Sequence, residues 1–285
     1  MVLPADGWMV AADSALPAAF LRPAAGRPDG GAKRDKEIYK MKENHYDDQT
    51  FFEQYSHFPR SVEGLSAAGE WHELRRMLPA LAGKRVLDLG CGFGWHCKYA
   101  ADQGAASVLG TDLSEKMLAG ARERNADPRI QYRRMAMEEM DFAPGSFDLV
   151  LSSLALHYVE DFAPVCRAVY DCLAEGGSFV FSCEHPVFTA EGSQEWCCDG
   201  EGNPRHWPVD RYFDEGRRTA HFLGCEVTKY HRTLTSYLNT LLQAGFAIKE
   251  VVEPRPDPRL MEVPGMADEL RRPMMLLVRA EREKK

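Results

Sequence analysis

No run in this 285-residue chain approaches the roughly 20 consecutive apolar residues that a helix needs to cross a bilayer, so no membrane span is expected. An excess of positive charge is also missing: 35 Lys and Arg stand against 43 Asp and Glu, a formal net charge of -8. General nucleic-acid binders usually carry a basic excess or stripe that neutralises phosphate, which speaks against that class but leaves room for a local basic groove. The opening "MVLPADGWMVAADSALPAAFLRP" lacks the basic start and clean apolar core of a secretion signal. The 8 cysteines lack the spacing of a disulfide framework and are scattered over a long chain, so they read as reduced thiols in a cytoplasmic protein.

Residues 1–40 lack helix or strand periodicity. Ala, Pro and Gly supply just over half of the first thirty-two positions, and the segment ends in "KRDKEIYK", which predicts a disordered extension. Met41 opens a more ordinary composition and is a candidate native start. The folded unit is expected over 41–285, with a helical cap at 41–83 and a substrate-covering insertion at 184–230.

Periodicity becomes readable from Gly69. Trp71, Leu74, Met77, Leu78 and Leu81 share one helix face that Gly83 can close. Strands are expected at 85–90, 107–112, 130–135, 147–152 and 178–182, alternating with helices at 94–103, from Ser114 to Asn125, and from Asp161 to the Gly176–Gly177 pair. This alternation predicts an α/β fold with a doubly wound, mostly parallel sheet, whose ligands sit beyond the carboxyl ends of the strands. A later helix through Tyr237 and Leu241 precedes strands at 246–253 and 274–280, which should pair antiparallel.

The stretch "VLDLGCGFGWH" places Gly90, Gly92 and Gly94 directly after the first strand. A lone GxGxG is compatible with any tight strand-to-helix turn. Two carboxylates narrow the choice. Asp88 precedes the glycines, where it would repel a pyrophosphate but needs a partner or an amine to offset its burial. Asp112 ends the second strand, where a carboxylate can accept both hydroxyls of a ribose. The two acids suggest a ligand with a ribose at one end and a cation or ammonium at the other; S-adenosylmethionine fits that description, and its carboxylate can meet the amides of the next helix start.

The sequence resembles the class I S-adenosylmethionine-dependent methyltransferases. "VLDLGCGFG" is similar to their first motif, "GTDLS" to the acidic second-strand motif, "GSFDLVLSSLALHYVED" to the fourth-strand region and "LAEGGSFVFS" to the fifth strand. The likeness is strong over residues 69–183, and "EHPVFTA" and "KYHRT" resemble a bacterial small-molecule-type subgroup. The resemblance implies a seven-stranded, Rossmann-like sheet with an antiparallel C-terminal hairpin and S-adenosylmethionine as cofactor. It further implies that Asp88 holds the methionine amino group, that Gly90, Cys91 and Gly92 admit the ligand to the backbone, and that Asp112 binds the ribose. Leu113 and Met117 would flank the adenine, and Ser152 would line the methionine end. One departure is Ala136, where many relatives carry an aspartate for the adenine amino group; recognition there would fall to the backbone of Met137.

Methyl transfer from a sulfonium needs positioning and exclusion of water, with a general base where the acceptor is protic. His157, Glu184 and His185 are the candidates, because all three follow strands at the carboxyl edge. Cys197, Cys198, His206, His221 and Cys225 match no common zinc spacing, and no metal site is expected. A small-molecule acceptor is the expectation. An RNA-modifying enzyme and a cofactor-binding module without turnover are the alternatives, while the acceptor atom and oligomeric state stay open.

Overall fold

The computed structural model describes residues 44–284, so the extension expected at 1–40 lies outside the described residues. Before the first strand, the described residues form two 3-10 turns (His45–Asp47 and Gly64–Ala67) and three short α-helices. The helices are α1 (Gln49–Ser56), where the Asp48 side chain accepts from Phe51 N, then α2 (Pro59–Val62) and α3 (Trp71–Met77). The latter stops well short of Gly83. Leu78 is extended because Pro79 follows it, and the ring of a proline disfavours helical backbone at the preceding residue.

The alternation then runs as expected: β1 (Arg85–Leu89), α4 (Trp95–Asp102), β2 (Ser107–Asp112), α5 (Glu115–Arg124), β3 (Ile130–Arg134), β4 (Phe147–Ser153), α6 (Phe162–Cys172) and β5 (Leu173–Glu184). Ser114 and Asp161 cap α5 and α6 by accepting from Met117 N and Ala163 N. Gly176 and Gly177 do not end α6. They lie inside β5, since Leu173 already pairs with Phe147 of β4 and Gly176 N donates to Arg282 O.

Between the sheet strands and the last helix lie α7 (Pro186–Thr189) and two antiparallel ribbons, β6 (Cys197–Cys198) with β7 (Pro204–His206), and β8 (Gly216–Phe222) with β9 (Cys225–His231). The chain closes with α8 (Leu234–Ala244), β10 (Ala247–Val252) and β11 (Met275–Glu281).

The seven strands lie in the order β10-β11-β5-β4-β1-β2-β3. Only β11 opposes the rest, pairing antiparallel with both β10 and β5, so the late hairpin and the mostly parallel sheet both match expectation. Strand pleating sends alternate residues to opposite faces. Leu87, Val150, Phe179 and Phe181 pack under α6 and α8 with Phe162, Val169 and Leu241. Val86, Leu149, Leu151 and Val180 meet α3, α4 and α5 through Leu74, Cys97, Ala100 and Leu118. Each of the buried Leu, Val and Phe side chains among them contributes about 1.5–3 kcal/mol of transfer free energy. Strand order reverses between β1 and β4, which opens a crevice at their carboxyl ends.

Candidate active site at the carboxyl edge of the sheet

The turn after β1 depends on its glycines. Gly90, Gly92 and Gly94 take φ of 71°, 54° and 75°, and a Cβ on Gly90 would stand 2.5 Å from that of Ala155. Gly90 N and Cys91 N both donate to Thr111 O, at 2.8 and 2.9 Å, fastening the turn to β2. At the end of β2, Asp112 accepts from Gly92 N through Oδ2 and from Ser114 N through Oδ1, each at 2.9 Å. Burial pushes the Asp112 carboxyl above the ordinary aspartate value, against the pull of those amides.

This turn borders a cavity of about 900 Å³. Gly90, Gly92, Asp112, Leu113, Met117 and Met137 form one part of its wall, and Ala136 contributes only a methyl group beside Met137. Cys91 lines a smaller adjoining pocket instead.

Two expected residues face elsewhere. Asp88 is 1% exposed and lies behind the turn, outside the cavity wall, where its Oδ2 accepts from Cys97 Sγ at 3.2 Å. Its Oδ1 has no partner among the described residues, and burial pushes its pKa up to about 7. Ser152 points into the protein and donates to Leu89 O at 2.9 Å. Its neighbour Ser153 takes the cavity position, as pleat alternation along β4 requires.

The opposite part of the cavity holds a buried polar group. Lys229 Nζ, from β9, donates to Glu184 Oε1 at 2.5 Å and to Gln194 Oε1 at 2.7 Å, while Gln194 Nε2 donates to Glu184 Oε2 at 2.6 Å. Glu184 N donates to His157 Nδ1 at 3.4 Å, and His157 Nε2 lies 3.9 Å from Glu184 Oε1. Burial lowers the His157 pKa to about 4, so the ring is neutral at pH 7. For Glu184, burial works against the charge, but His157, Lys229 and Gln194 outweigh it and hold the carboxyl below its usual value. Tyr158 and Tyr46 approach through their hydroxyls at 3.3 Å, and burial raises both phenols.

His185 does not join this group. Adjacent to Glu184 in sequence, it points away, caps α7 by accepting from Val187 N, and places Nε2 2.8 Å from Glu253 Oε1. Lys229, Tyr46 and Phe222 also wall the cavity and were not among the expected site residues. A signal for Lys229 was present: in "CEVTKYH" it shares the buried face of an alternating strand with Val227 and His231, and a lysine there requires a partner.

Comparison with known proteins fits this geometry. A family model described as a methyltransferase domain matches residues 87–181. A solved S-adenosylmethionine-dependent methyltransferase from Mesorhizobium loti is 50% identical, with a TM-score of 0.72 over 77% of this chain and 100% of that one. A solved structure from Listeria monocytogenes is 56% identical, with a TM-score of 0.74 over 78% of this chain and 100% of its own. The ubiquinone biosynthesis O-methyltransferase of Pseudomonas aeruginosa is 40% identical over 105 residues, 36% of this chain and 45% of that enzyme. Half of all positions are thus shared along the full length of a solved relative, and the glycine turn and acidic β2 end stand on the same sheet: the chain belongs to the S-adenosylmethionine-dependent methyltransferases.

Proposed function

We propose that the protein transfers a methyl group from S-adenosylmethionine to a small protic acceptor held between the sheet edge and the β8–β9 hairpin. The observation that carries this reading is a single cavity of about 900 Å³ running from the glycine turn and Asp112 to the His157–Glu184–Lys229 group. That volume is near the top of the roughly 300–1,000 Å³ range for small-molecule sites, which suits two ligands side by side.

The residues present suit the cofactor. Each Asp112 oxygen accepts one amide and keeps a lone pair for a ribose hydroxyl. Gly90 and Gly92 let the backbone approach, with Cys91 carrying the turn between them. Leu113, Met117 and Met137 offer apolar walls to the adenine, and the Met137 backbone is left to read its amino group beside Ala136. Ser152 holds the end of β1 in place, and Ser153 takes its expected place at the methionine end.

Bound S-adenosylmethionine supplies a methyl group already activated on a positively charged sulfur. The protein's own task is to hold the acceptor, exclude water and take a proton. Glu184 is the proton acceptor: it is ionised, buried and on the cavity wall. Lys229 and Gln194 fix its two oxygens. His157 receives the Glu184 amide at Nδ1, which leaves its proton on Nε2 and makes it a donor toward the acceptor site rather than a base. His185 serves as a helix cap. The partial match to an O-methyltransferase supports a hydroxyl acceptor, and the free thiols of Cys91 and Cys97 suit a reducing, cytoplasmic setting.

The test is transfer of labelled methyl groups into a cell extract separated into metabolite, RNA and protein fractions. Label in the metabolite fraction that disappears with Glu184→Gln supports the reading; label in RNA alone contradicts it.

A further inference from the structure

Between β10 and β11 the chain forms a strap over residues 253–274, with 3-10 turns at Pro258–Leu260 and Asp268–Arg271. Pro254, Pro256, Leu260 and Met266 of the strap wall the main cavity, and the wall continues into Met274 and Met275. All six are half-buried rather than packed into the interior. Met275 is the antiparallel ladder partner of Glu184, so the two side chains stand together on one face of the sheet. The apolar wall therefore begins beside the proton acceptor.

The strap is pinned from behind. The buried Arg272 guanidinium lies over the Trp207 ring at 4.2 Å and the Phe188 ring at 4.6 Å, and donates to both oxygens of Glu269 at 2.7 and 2.9 Å. Arg271 donates to Pro204 O and Arg205 O at 3.0 and 2.6 Å. Among the described residues none of β6 or β7 lines the cavity; that ribbon holds the strap instead.

Leucine and methionine side chains held half-open on a pinned segment keep apolar surface in water, and an apolar ligand would cover it. Methionine also adapts to bodies of different shape. Polar partners are scarce along this wall, since Glu269 spends both oxygens on Arg272 and Arg255 is exposed. A polyol or nucleotide body would give up its hydrogen bonds to water there without replacement, whereas an alkyl or aryl body gives up none.

We infer that the acceptor is an amphiphile, with its protic group at Glu184 and an apolar body lying along Leu260, Met266, Met274 and Met275. The inference rests on the methyl-transfer reading and names the class of acceptor within it. Glu184 serves the same end of every acceptor, and the strap selects among them by the length and shape of the body.

The test is calorimetric titration of 4-methyl-, 4-propyl- and 4-pentylphenol into the full chain saturated with S-adenosylhomocysteine. Affinity should rise roughly fourfold for each added methylene, the gain for burying one CH₂. Leu260→Asn and Met266→Gln, both off the sheet, should each cut that gain to roughly twofold or less and leave S-adenosylhomocysteine affinity within about threefold. Affinity that does not rise with chain length, a gain unchanged in both variants, or no binding of any of the three phenols overturns the inference alone. A wild-type protein that does not bind S-adenosylhomocysteine overturns the methyl-transfer reading and the inference together.

Discussion

Lys229 Nζ stands 2.5 Å from Glu184 Oε1, with the lysine side chain 3% exposed and the glutamate 13%. The contact ties the β8–β9 hairpin to the carboxyl end of β5, so one ion pair both holds the cover in place and forms part of the cavity wall. Removing either end has a different consequence. Lys229→Met strands a buried carboxylate and should cost about 3–5 kcal/mol, read as a lower midpoint in urea unfolding. Glu184→Gln leaves no stranded negative charge; it should fold, bind S-adenosylhomocysteine, and lose roughly 100-fold or more in methyl transfer. Full activity in the glutamine variant would remove Glu184 from the proton-accepting role.

Buried histidines give a pH signature. Burial lowers His157 to about 4 and His96, with the Arg60 charge adding to it, to about 3. Between those values and the ordinary histidine pKa near 6.5, the unfolded chain binds more protons than the folded one, so stability contributed by these rings is complete above that pH and is lost as pH falls. For His157 the contribution is on the order of 3 kcal/mol. A His157→Gln variant should therefore show a shallower fall in thermal midpoint between pH 6.5 and pH 4 than the wild type.

Asp88 works in the opposite sense. With its pKa raised to about 7 by burial, it is neutral in the folded protein at pH 5 and ionised in the unfolded chain, so its effect becomes more destabilising as pH rises from about 4 through 7. Asp88→Asn should raise the thermal midpoint more at pH 8 than at pH 5. An equal gain at both values would show that the carboxyl is not held protonated by its surroundings.

The glycine turn allows no side chain at Gly90. A methyl group there would meet the Ala155 Cβ at 2.5 Å, on backbone at φ 71°. Gly90→Ala should lower stability by about 1–3 kcal/mol and weaken cofactor binding, both visible in a melt repeated with S-adenosylhomocysteine.

Local signals carried most of the sheet. The bounds of β2, the caps Ser114 and Asp161, and the glycine turn all rest on neighbours within a few residues, and all lie where periodicity and capping chemistry put them. The Gly176–Gly177 pair reads locally as a helix end, but pairing of Leu173 with Phe147 of β4 and the backbone bonds from Gly176 N to Arg282 O and from Arg282 N to Gly177 O extend β5 backward, a tertiary effect that overrides local glycine propensity. Site residues at strand ends followed the same division. Which of Ser152 and Ser153, or of Glu184 and His185, faces the cavity is a matter of pleat parity, and parity follows register with distant strands. Lys229 meets Glu184 across 45 residues of chain, a pairing that no local pattern encodes.

The central claim is that the cavity beside Asp112 binds S-adenosylmethionine. Calorimetric titration of the full chain with S-adenosylmethionine, repeated on Asp112→Ala, tests it most directly. The account predicts one site per chain with micromolar affinity, weakened roughly 10- to 100-fold by the substitution. Absence of binding in the wild-type protein, or unchanged affinity in Asp112→Ala, would contradict it.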